Sequence, residues 1–167
     1  MNRRRFIAKG GLLTATILSL WHSSSLAGLF SSNEKGHFPV SKTDQQWKEE
    51  LDPKAYNVLR EHGTERAFTS PLNDEHRKGV FKCAGCGNEL YSSETKYESG
   101  SGWPSFWAPI DEGAVKTSTD YKIGVPRTEV HCADCGGHLG HIFDDGPVPT
   151  GKRYCMNGVA LDFVPAE

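Results

Sequence analysis

The chain has 167 residues, of which 37% are hydrophobic and 24% are charged, and its formal net charge is −2. This composition is ordinary for a globular protein and excludes a disordered or collagen-like chain. The length suits one domain with its own hydrophobic core.

Residues 1–27 predict an export signal. They begin with a basic segment, continue into the apolar run "GLLTATILSLW" and end in the small residues of "SLA". Arg3 and Arg4, followed by a variable residue and the apolar pair Phe6-Ile7, resemble the twin-arginine motif. We therefore expect export to a bacterial periplasm in the folded state. A general secretory signal and an uncleaved membrane anchor are the alternatives.

The segments on either side of the predicted cleavage site differ in charge. Residues 1–27 carry four basic and no acidic residues, so the remaining chain has 15 basic and 21 acidic residues and a net charge of −6. Such a domain has little attraction for a phosphate backbone, and we expect no nucleic-acid partner. Residues 28–40 lack periodicity and predict a flexible spacer, which leaves the domain at 41–167. No oligomer-forming pattern is visible, and we expect a monomer.

Two short helices are predicted at the start of the domain. The stretch "SKTDQQWKEEL" offers capping residues from Ser41 and places Trp47 and Leu51 on one face. In "LDPKAYNVLREHG", Asp52 is the expected cap and Pro53 fits the first helical position. Gly63 is expected to end this second helix in a left-handed turn.

The chain after Gly63 predicts short strands separated by turns. No stretch of helical periodicity long enough for a parallel crossover separates them. We expect a mainly β fold of two antiparallel sheets with short N-terminal helices. The predicted strands are "GVFKC", "ELYSS", "SFWAP", "AVKTS", "YKIGV", "RTEVHC", "HLGHIF" and "NGVALDFV".

Four of the five cysteines form two Cys-x-x-Cys pairs, Cys83 with Cys86 and Cys132 with Cys135. A glycine follows the second cysteine of each pair, a pattern typical of the knuckles that hold a structural zinc ion with four thiolates. The pairs are 45 residues apart, so one zinc ion would join two distant turns. Two disulfides are the alternative in an oxidising compartment, although vicinal pairs of this kind are usually redox-active.

The fifth cysteine, Cys155, has no partner in this scheme. Arg153 and Asn157 lie two residues to either side, so on a strand their side chains share its face. A neighbouring cation favours the thiolate, and an amide can bind an oxygen. His138 and His141 follow the second knuckle, although their spacing of three does not require a common face. A lone cysteine is otherwise more often a small buried hydrophobe.

These motifs together resemble the B-type methionine-R-sulfoxide reductases. The resemblance rests on the two knuckles, "SGSGWPSF", "HLGHIFDDGP" and "RYCMNG", which occur in this order between Gln45 and Phe163. It implies a β-tent, Mss4-like fold with zinc at one end. It also implies reduction of methionine-R-sulfoxide in oxidised proteins through a sulfenic acid on the cysteine.

The resemblance also implies a role for individual residues. Cys155 matches the nucleophile, and His138 and His141 match the histidines that hold and protonate the sulfoxide oxygen. Asn157 matches a further polar residue of that site, and Trp103 matches the aromatic wall for the S-methyl group. The predicted substrate-binding residues are Trp103, Phe106, Arg153 and Asp145.

One position departs from the family pattern. Many members carry a second cysteine before the tryptophan, where this chain has Ser101. The regenerating partner is therefore expected to be an external thioredoxin-like protein or a small thiol. Two other classes stay open at this point: a zinc-stabilised binding module, and a dithiol oxidoreductase that uses its Cys-x-x-Cys pairs.

Overall fold

The computed structural model describes residues 38–167. The predicted export signal and residues 28–37 of the predicted spacer lie outside the described residues. The last spacer residues belong to the folded domain, because the Val40 N–H donates to the Asp134 carbonyl at 2.8 Å and the Phe38 ring packs edge-on against His131. In the part of the chain that the structure describes, no helix is both long and apolar enough to cross a membrane.

Helix α1 (Asp44–Glu50) begins with a capping box between Thr43 and Gln46, and it buries Trp47. Helix α2 (Pro53–Glu61) is capped by Asp52, as predicted, with Pro53 at its first position. The end of α2 differs from the prediction, since His62 adopts the left-handed conformation, with φ of 55°. A Cβ at Gly63 would lie 1.9 Å from the Asn57 Oδ1 atom, so any larger residue there would displace the Asn57 side chain.

The strands of the described residues form two antiparallel sheets, which confirms the predicted fold class. The smaller sheet contains, in spatial order, β2 (Glu89–Ser92), β1 (Gly79–Cys83) and β9 (Leu161–Pro165). The larger sheet contains, in spatial order, β3 (Lys96–Tyr97), β4 (Ser105–Phe106), β8 (Arg153–Met156), β7 (His138–Phe143), β6 (Arg127–Cys132) and β5 (Val115–Asp120).

Three predicted strands are wrong in whole or in part. In "NGVALDFV" the strand begins only at Leu161, because Gly158–Ala160 form a short 3-10 helix. The stretch "YKIGV" is the turn between β5 and β6, because β5 continues to Asp120 and Gly124 takes a positive φ of 79°. Its apolar side chains Tyr121, Ile123 and Val125 are exposed and contribute nothing to the core. In "SFWAP" only the first two residues are paired as a strand.

The hydrophobic core lies between the two sheets. Tyr91 and Phe81 of the smaller sheet pack on Phe106 of the larger one, with ring centroids 4.3 and 4.9 Å apart. Trp47 of α1 and Leu59 of α2 are buried in the same cluster. This packing leaves the other face of the larger sheet available for polar side chains.

Candidate active site

A row of polar side chains crosses five strands of the larger sheet. Ser105 is paired with Cys155, Cys155 with His141, His141 with Glu129, and Glu129 with Ser118. Residues directly opposite each other in antiparallel strands share one face and lie close together. The strand register therefore places the unpartnered cysteine beside a histidine. We call these five residues the cross-strand row.

Cys155 is half-buried, and its Sγ atom lies 3.7 Å from the Ser101 Oγ atom. Burial raises the pKa of the Cys155 thiol, whereas Ser101 and the Arg153 guanidinium lower it, and the pKa remains above its ordinary value. Arg153 thus acts in the direction that the sequence indicated, but burial outweighs it. Cys155 is accordingly a thiol at neutral pH, and its thiolate needs help to form.

Arg153 is held at the flank of Cys155 by two contacts. Asp145 accepts two hydrogen bonds from the guanidinium, from Nε and from a terminal nitrogen, both at 2.8 Å. The guanidinium also lies over the Phe143 ring, 4.4 Å from its centroid. The exposed carboxylate of Asp145 acts on the thiol only by orienting Arg153. Neither residue is among those that line the pocket in front of Cys155.

The two histidines face the same side of the sheet because β7 is irregular. The register with β6 shifts between Val130 and His131, so that His138 is paired with His131 while Gly140 is paired with Val130. One extra residue, Leu139, is thereby accommodated in β7, as in a β-bulge. The His138 and His141 rings lie 5.4 Å apart between centroids. Strict alternation would have placed them on opposite faces.

Each histidine is held by a carboxylate that sequence analysis did not identify. The Nδ1 atom of His138 lies 2.6 Å from Glu129 Oε1, and the Nε2 atom of His141 lies 2.7 Å from Asp120 Oδ2. Each ring uses one nitrogen for its carboxylate and has the other to offer to a ligand. Glu129 was hard to detect in the sequence, since the alternation of "RTEVHC" puts it on the face opposite Val130 and Cys132, where an acid is ordinarily exposed.

Both carboxylates remain ionised. Burial alone would raise the pKa of Glu129, but hydrogen bonds from His138, His62 and Ser118 hold it well below its usual range. The pKa of Asp120 is lowered by the Lys122 backbone N–H and by His141, and Arg127 adds to this effect. Burial in turn lowers the pKa of His141, against the opposing effect of Asp120. His141 is therefore neutral until a ligand or a pH change favours its protonated form.

Glu65 is a third residue that sequence analysis missed, and it fixes two residues on the other side of the site. Its carbonyl accepts the Trp103 indole N–H at 3.1 Å, and its own N–H donates to the Asn157 Oδ1 atom at 2.9 Å. Its carboxylate accepts the backbone N–H groups of Gly158 and Val159. Trp103 and Asn157 are thus fixed to one point, although they are 54 positions apart in the chain.

The pocket in front of Cys155 brings together four of the predicted site residues: Cys155, His141, Asn157 and Trp103. We call it the Cys155 pocket. Its lining residues are Thr64, Trp103, Arg127, Gly140, His141, Phe143, Cys155 and Asn157. His138 lines an adjacent cleft, which shares Thr64, Arg127 and His141 with this pocket. We call this second depression the His138 cleft.

Phe106 does not line the Cys155 pocket, contrary to the prediction. Its side chain is completely buried in the core and stacks on Tyr91. The reason is the alternation of β4: Ser105 is paired with Cys155 and shares its face, so the next residue points to the opposite face.

The four remaining cysteines converge on one point, with all four sulfur atoms within 4.8 Å of one another. The Sγ atoms of Cys83 and Cys135 are 3.7 Å apart, and those of Cys86 and Cys132 are 3.5 Å apart. A tetrahedral zinc ion with bonds of about 2.3 Å requires sulfur atoms about 3.8 Å apart, so the residues fit this metal. The close approaches join one knuckle to the other, which argues against a disulfide within each pair.

The cluster links the two sheets. Cys83 ends β1 of the smaller sheet and Cys132 ends β6 of the larger one. Gly87 and Gly136, each next to the second cysteine of its knuckle, have positive φ values of 78° and 67°. These conformations favour glycine and fold each pair back on itself. The Asn88 amide donates to the Cys132 sulfur at 3.5 Å and supports the cluster from outside.

This fold and this site define a class of protein: a two-sheet β domain with a four-cysteine cluster that fits a metal ion and one further cysteine arranged for thiol chemistry. A SelR domain matches residues 51–165 of the chain. The chain is 54% identical over 127 residues to the peptide methionine sulfoxide reductase MsrB of Leptospira interrogans, covering 76% of this chain and 97% of that protein.

Two further relatives with the same description come from distant organisms. The MsrB of Leifsonia xyli is 52% identical over 134 residues, covering 80% of this chain and 96% of that protein. The MsrB of Methanosarcina barkeri is 52% identical over 128 residues, covering 77% of this chain and 90% of that protein. The chain belongs to the SelR-domain family of MsrB peptide methionine sulfoxide reductases.

Proposed function

We propose that this protein reduces the R epimer of methionine sulfoxide in oxidised proteins to methionine. The observation that carries the proposal is the pairing of Cys155 with His141 on adjacent strands, at a pocket walled by Trp103. A sulfoxide sulfur is a poor electrophile until its oxygen takes a proton. The reaction therefore needs a thiol nucleophile and a proton donor on two sides of one small group, and this pocket supplies both.

The proposed reaction is balanced within the pocket. The Cys155 sulfur attacks the sulfoxide sulfur while the thiol proton and a histidine proton are transferred to the sulfoxide oxygen. The product is a sulfurane-like intermediate with a bond between the two sulfurs. The sulfur–oxygen bond then breaks with loss of water, which leaves a bond between the two sulfurs. A water molecule attacks the Cys155 sulfur and returns a proton to the histidine, and the bond between the sulfurs breaks to release the thioether of methionine and leave a sulfenic acid on Cys155. Methionine sulfoxide is reduced and the thiol is oxidised by two electrons each, and the histidine recovers its proton.

The choice of epimer follows from the placement of three groups around the sulfoxide sulfur. With the S-methyl group against the Trp103 indole and the sulfur facing Cys155, only one epimer directs its oxygen to the histidines. The indole is held in place by the hydrogen bond to the Glu65 carbonyl. His141 lines the pocket directly, and His138, reached from the adjacent cleft, supports the oxygen from the side.

Regeneration of Cys155 requires an external thiol. Ser101, whose hydroxyl lies 3.7 Å from the Cys155 sulfur, stands where many members of the family carry a second cysteine, and the other four cysteines converge in one cluster. A first thiol displaces water from the sulfenic acid to form a mixed disulfide, and a second thiol releases the free Cys155. A thioredoxin-like protein and a small thiol are the two partners that fit.

The cluster residues Cys83, Cys86, Cys132 and Cys135 would hold a structural Zn²⁺ ion. A closed site of four thiolates has no open position for a substrate, so its contribution is to folding. The export signal proposed for residues 1–27 fits this scheme, because a chain folded in the cytosol can acquire zinc before its thiols meet an oxidising compartment. Two measurements test the periplasmic location. Mass spectrometry of the protein from cells shows whether residues 1–27 have been removed, and cell fractionation shows whether the protein is in the periplasm.

The experiment that tests the proposed activity is turnover of the two separated epimers by the zinc-loaded protein with a generic dithiol. We expect reduction of the R epimer, with little or no action on the S epimer, and complete loss of activity in Cys155→Ser. Comparable rates on both epimers would contradict the proposal. Binding of oxidised peptides that survives in Cys155→Ser, with no turnover in either protein, would instead identify a binding module.

A further inference from the structure

The His138 cleft holds a second cluster of metal-binding side chains, apart from the four cysteines. The Nδ1 atoms of His62 and His138 lie 2.9 and 2.6 Å from the same carboxylate oxygen, Oε1 of Glu129. The three potential ligand atoms lie within 4.8 Å of one another. Two imidazoles and one carboxylate form a ligand set that suits Zn²⁺ and other borderline divalent ions.

The three ligands are held by separate, ordered elements. His62 ends α2, Glu129 lies in β6 and His138 lies in β7. Glu129 is fixed by Ser118, whose hydroxyl donates to its second carboxylate oxygen at 2.7 Å. A cluster that is already assembled loses little conformational entropy when it binds an ion.

The backbone of His62 supports the same conclusion. Its left-handed conformation is uncommon for a residue with a Cβ atom, and it turns the chain at the end of α2. The Lys122 ammonium donates to its carbonyl at 2.8 Å, and the following N–H, that of Gly63, donates to the Asn57 carbonyl at 2.8 Å. These contacts hold His62 where its ring reaches Glu129.

The cluster is accessible on one side and buried on the other. The His62 side chain is 57% exposed, whereas the His138 side chain is 3% exposed. The cleft in front of them is open to solvent and is also lined by Glu61 and Asp120. An ion can therefore enter past His62, take three protein ligands and keep water in its remaining position, as in open zinc sites.

We propose that His62, Glu129 and His138 form a second site for a divalent transition-metal ion such as Zn²⁺, and that its occupation inhibits the enzyme. A bound ion occupies the Nδ1 atoms of both histidines and holds the Glu129 carboxylate. The His138 ring then keeps its Nε2 proton but can no longer become an imidazolium, so it cannot release a proton to the sulfoxide oxygen as a general acid. The inhibitory part of this inference rests on the proposed reductase function, whereas the binding part does not.

Binding is tested in the Cys155→Ser protein, which removes the one thiol outside the four-cysteine cluster. After loading of that cluster, equilibrium dialysis against free Zn²⁺ should give two zinc ions per chain. His62→Asn should bind only one, since asparagine tolerates the left-handed backbone but lacks the imidazole. His76→Asn, at an exposed histidine outside the cluster, is the matched control and should bind two. A second zinc ion that persists in His62→Asn would overturn the proposal.

Inhibition is tested with proteins that retain Cys155 and with a methionine-R-sulfoxide substrate. Relative to its own rate without added metal, His62→Asn should need at least about tenfold more Zn²⁺ for half-inhibition than the unmodified protein. Loss of a direct ligand is expected to cost at least as much as loss of an outer partner, about 10–100-fold in affinity. Equal sensitivity of the two proteins would place the inhibiting ion elsewhere and refute the regulatory part. The dialysis result stands even for a protein without reductase activity.

Discussion

The Ser101 hydroxyl oxygen lies 3.7 Å from the Cys155 sulfur, in the position from which a second thiol would attack a sulfenic acid. A serine hydroxyl cannot form a disulfide with the oxidised Cys155 sulfur. The oxidised form of this protein should therefore persist until an external thiol arrives.

A single turnover without reductant tests this consequence. Mixing the reduced protein with excess methionine-R-sulfoxide should give one methionine per chain and a sulfenic acid on Cys155, trapped by a dimedone-type reagent and located by mass spectrometry. An intramolecular disulfide made with one of the four cluster cysteines would show that the single-cysteine scheme is wrong.

The substitution Ser101→Cys should convert the trapped sulfenic acid into a disulfide with Cys155. A disulfide needs sulfur atoms about 2 Å apart, so the loop has to move by under about 2 Å. Peptide mapping after one turnover detects the bond. Ser41→Cys, at an exposed residue before α1, adds a thiol outside the Cys155 pocket and should leave the sulfenic acid in place.

The pH dependence of Cys155 alkylation should reflect its burial. Because burial raises the pKa of the thiol, the rate of reaction with iodoacetamide should keep rising above the ordinary thiol pKa of about 8.5. Arg153→Ala removes the cation that favours the thiolate and should move the midpoint to still higher pH.

Lys152→Ala is the control for that series. Lys152 is the adjacent cation in the chain, but it pairs with Asp144 at the surface and is not among the groups that change the pKa of the Cys155 thiol. An unchanged midpoint in Arg153→Ala would show that the guanidinium has no electrostatic effect on the thiol.

Asp120→Asn should lower kcat by about 10–100-fold, the range found when a partner that orients a functional histidine is lost. The asparagine keeps the shape of the side chain but removes the charge that fixes the His141 ring at 2.7 Å. The KM for the sulfoxide should change less than kcat, because Trp103 and Asn157 are untouched. Asp162→Asn, at an exposed position of β9, should have no effect on either constant.

Cys132→Ser should cause loss of bound metal together with loss of folded structure, because the binding free energy of a structural zinc ion is largely folding free energy. Metal analysis and circular dichroism measure the two effects. Asn88→Ala should be milder, with metal affinity lower by about 10–100-fold in a folded protein, since it keeps all four thiolates and removes an amide that donates to the Cys132 sulfur and to the Ala114 carbonyl. A metal-free Cys132→Ser protein that melts normally would contradict the structural role.

The amino-acid sequence by itself determined the features that depend on neighbours within a few positions. The cap at Asp52, the glycine turn of each knuckle and the strand alternation that puts Arg153 and Cys155 on one side are local, because they follow from backbone conformation and side-chain period. The two cysteine knuckles and the fifth cysteine outside them could be recognised for the same reason.

Tertiary structure alone decided what depends on pairing between distant strands. The accommodation of Leu139 in β7 brings His138 and His141 to one face, the register of β6 supplies Glu129, and the β4 register turns Phe106 into the core. Glu65 forms hydrogen bonds to Trp103 and Asn157, which are both more than thirty positions away in the chain. No local period encodes a register shift or a contact across the sheet, since both are set by how whole strands pack against each other.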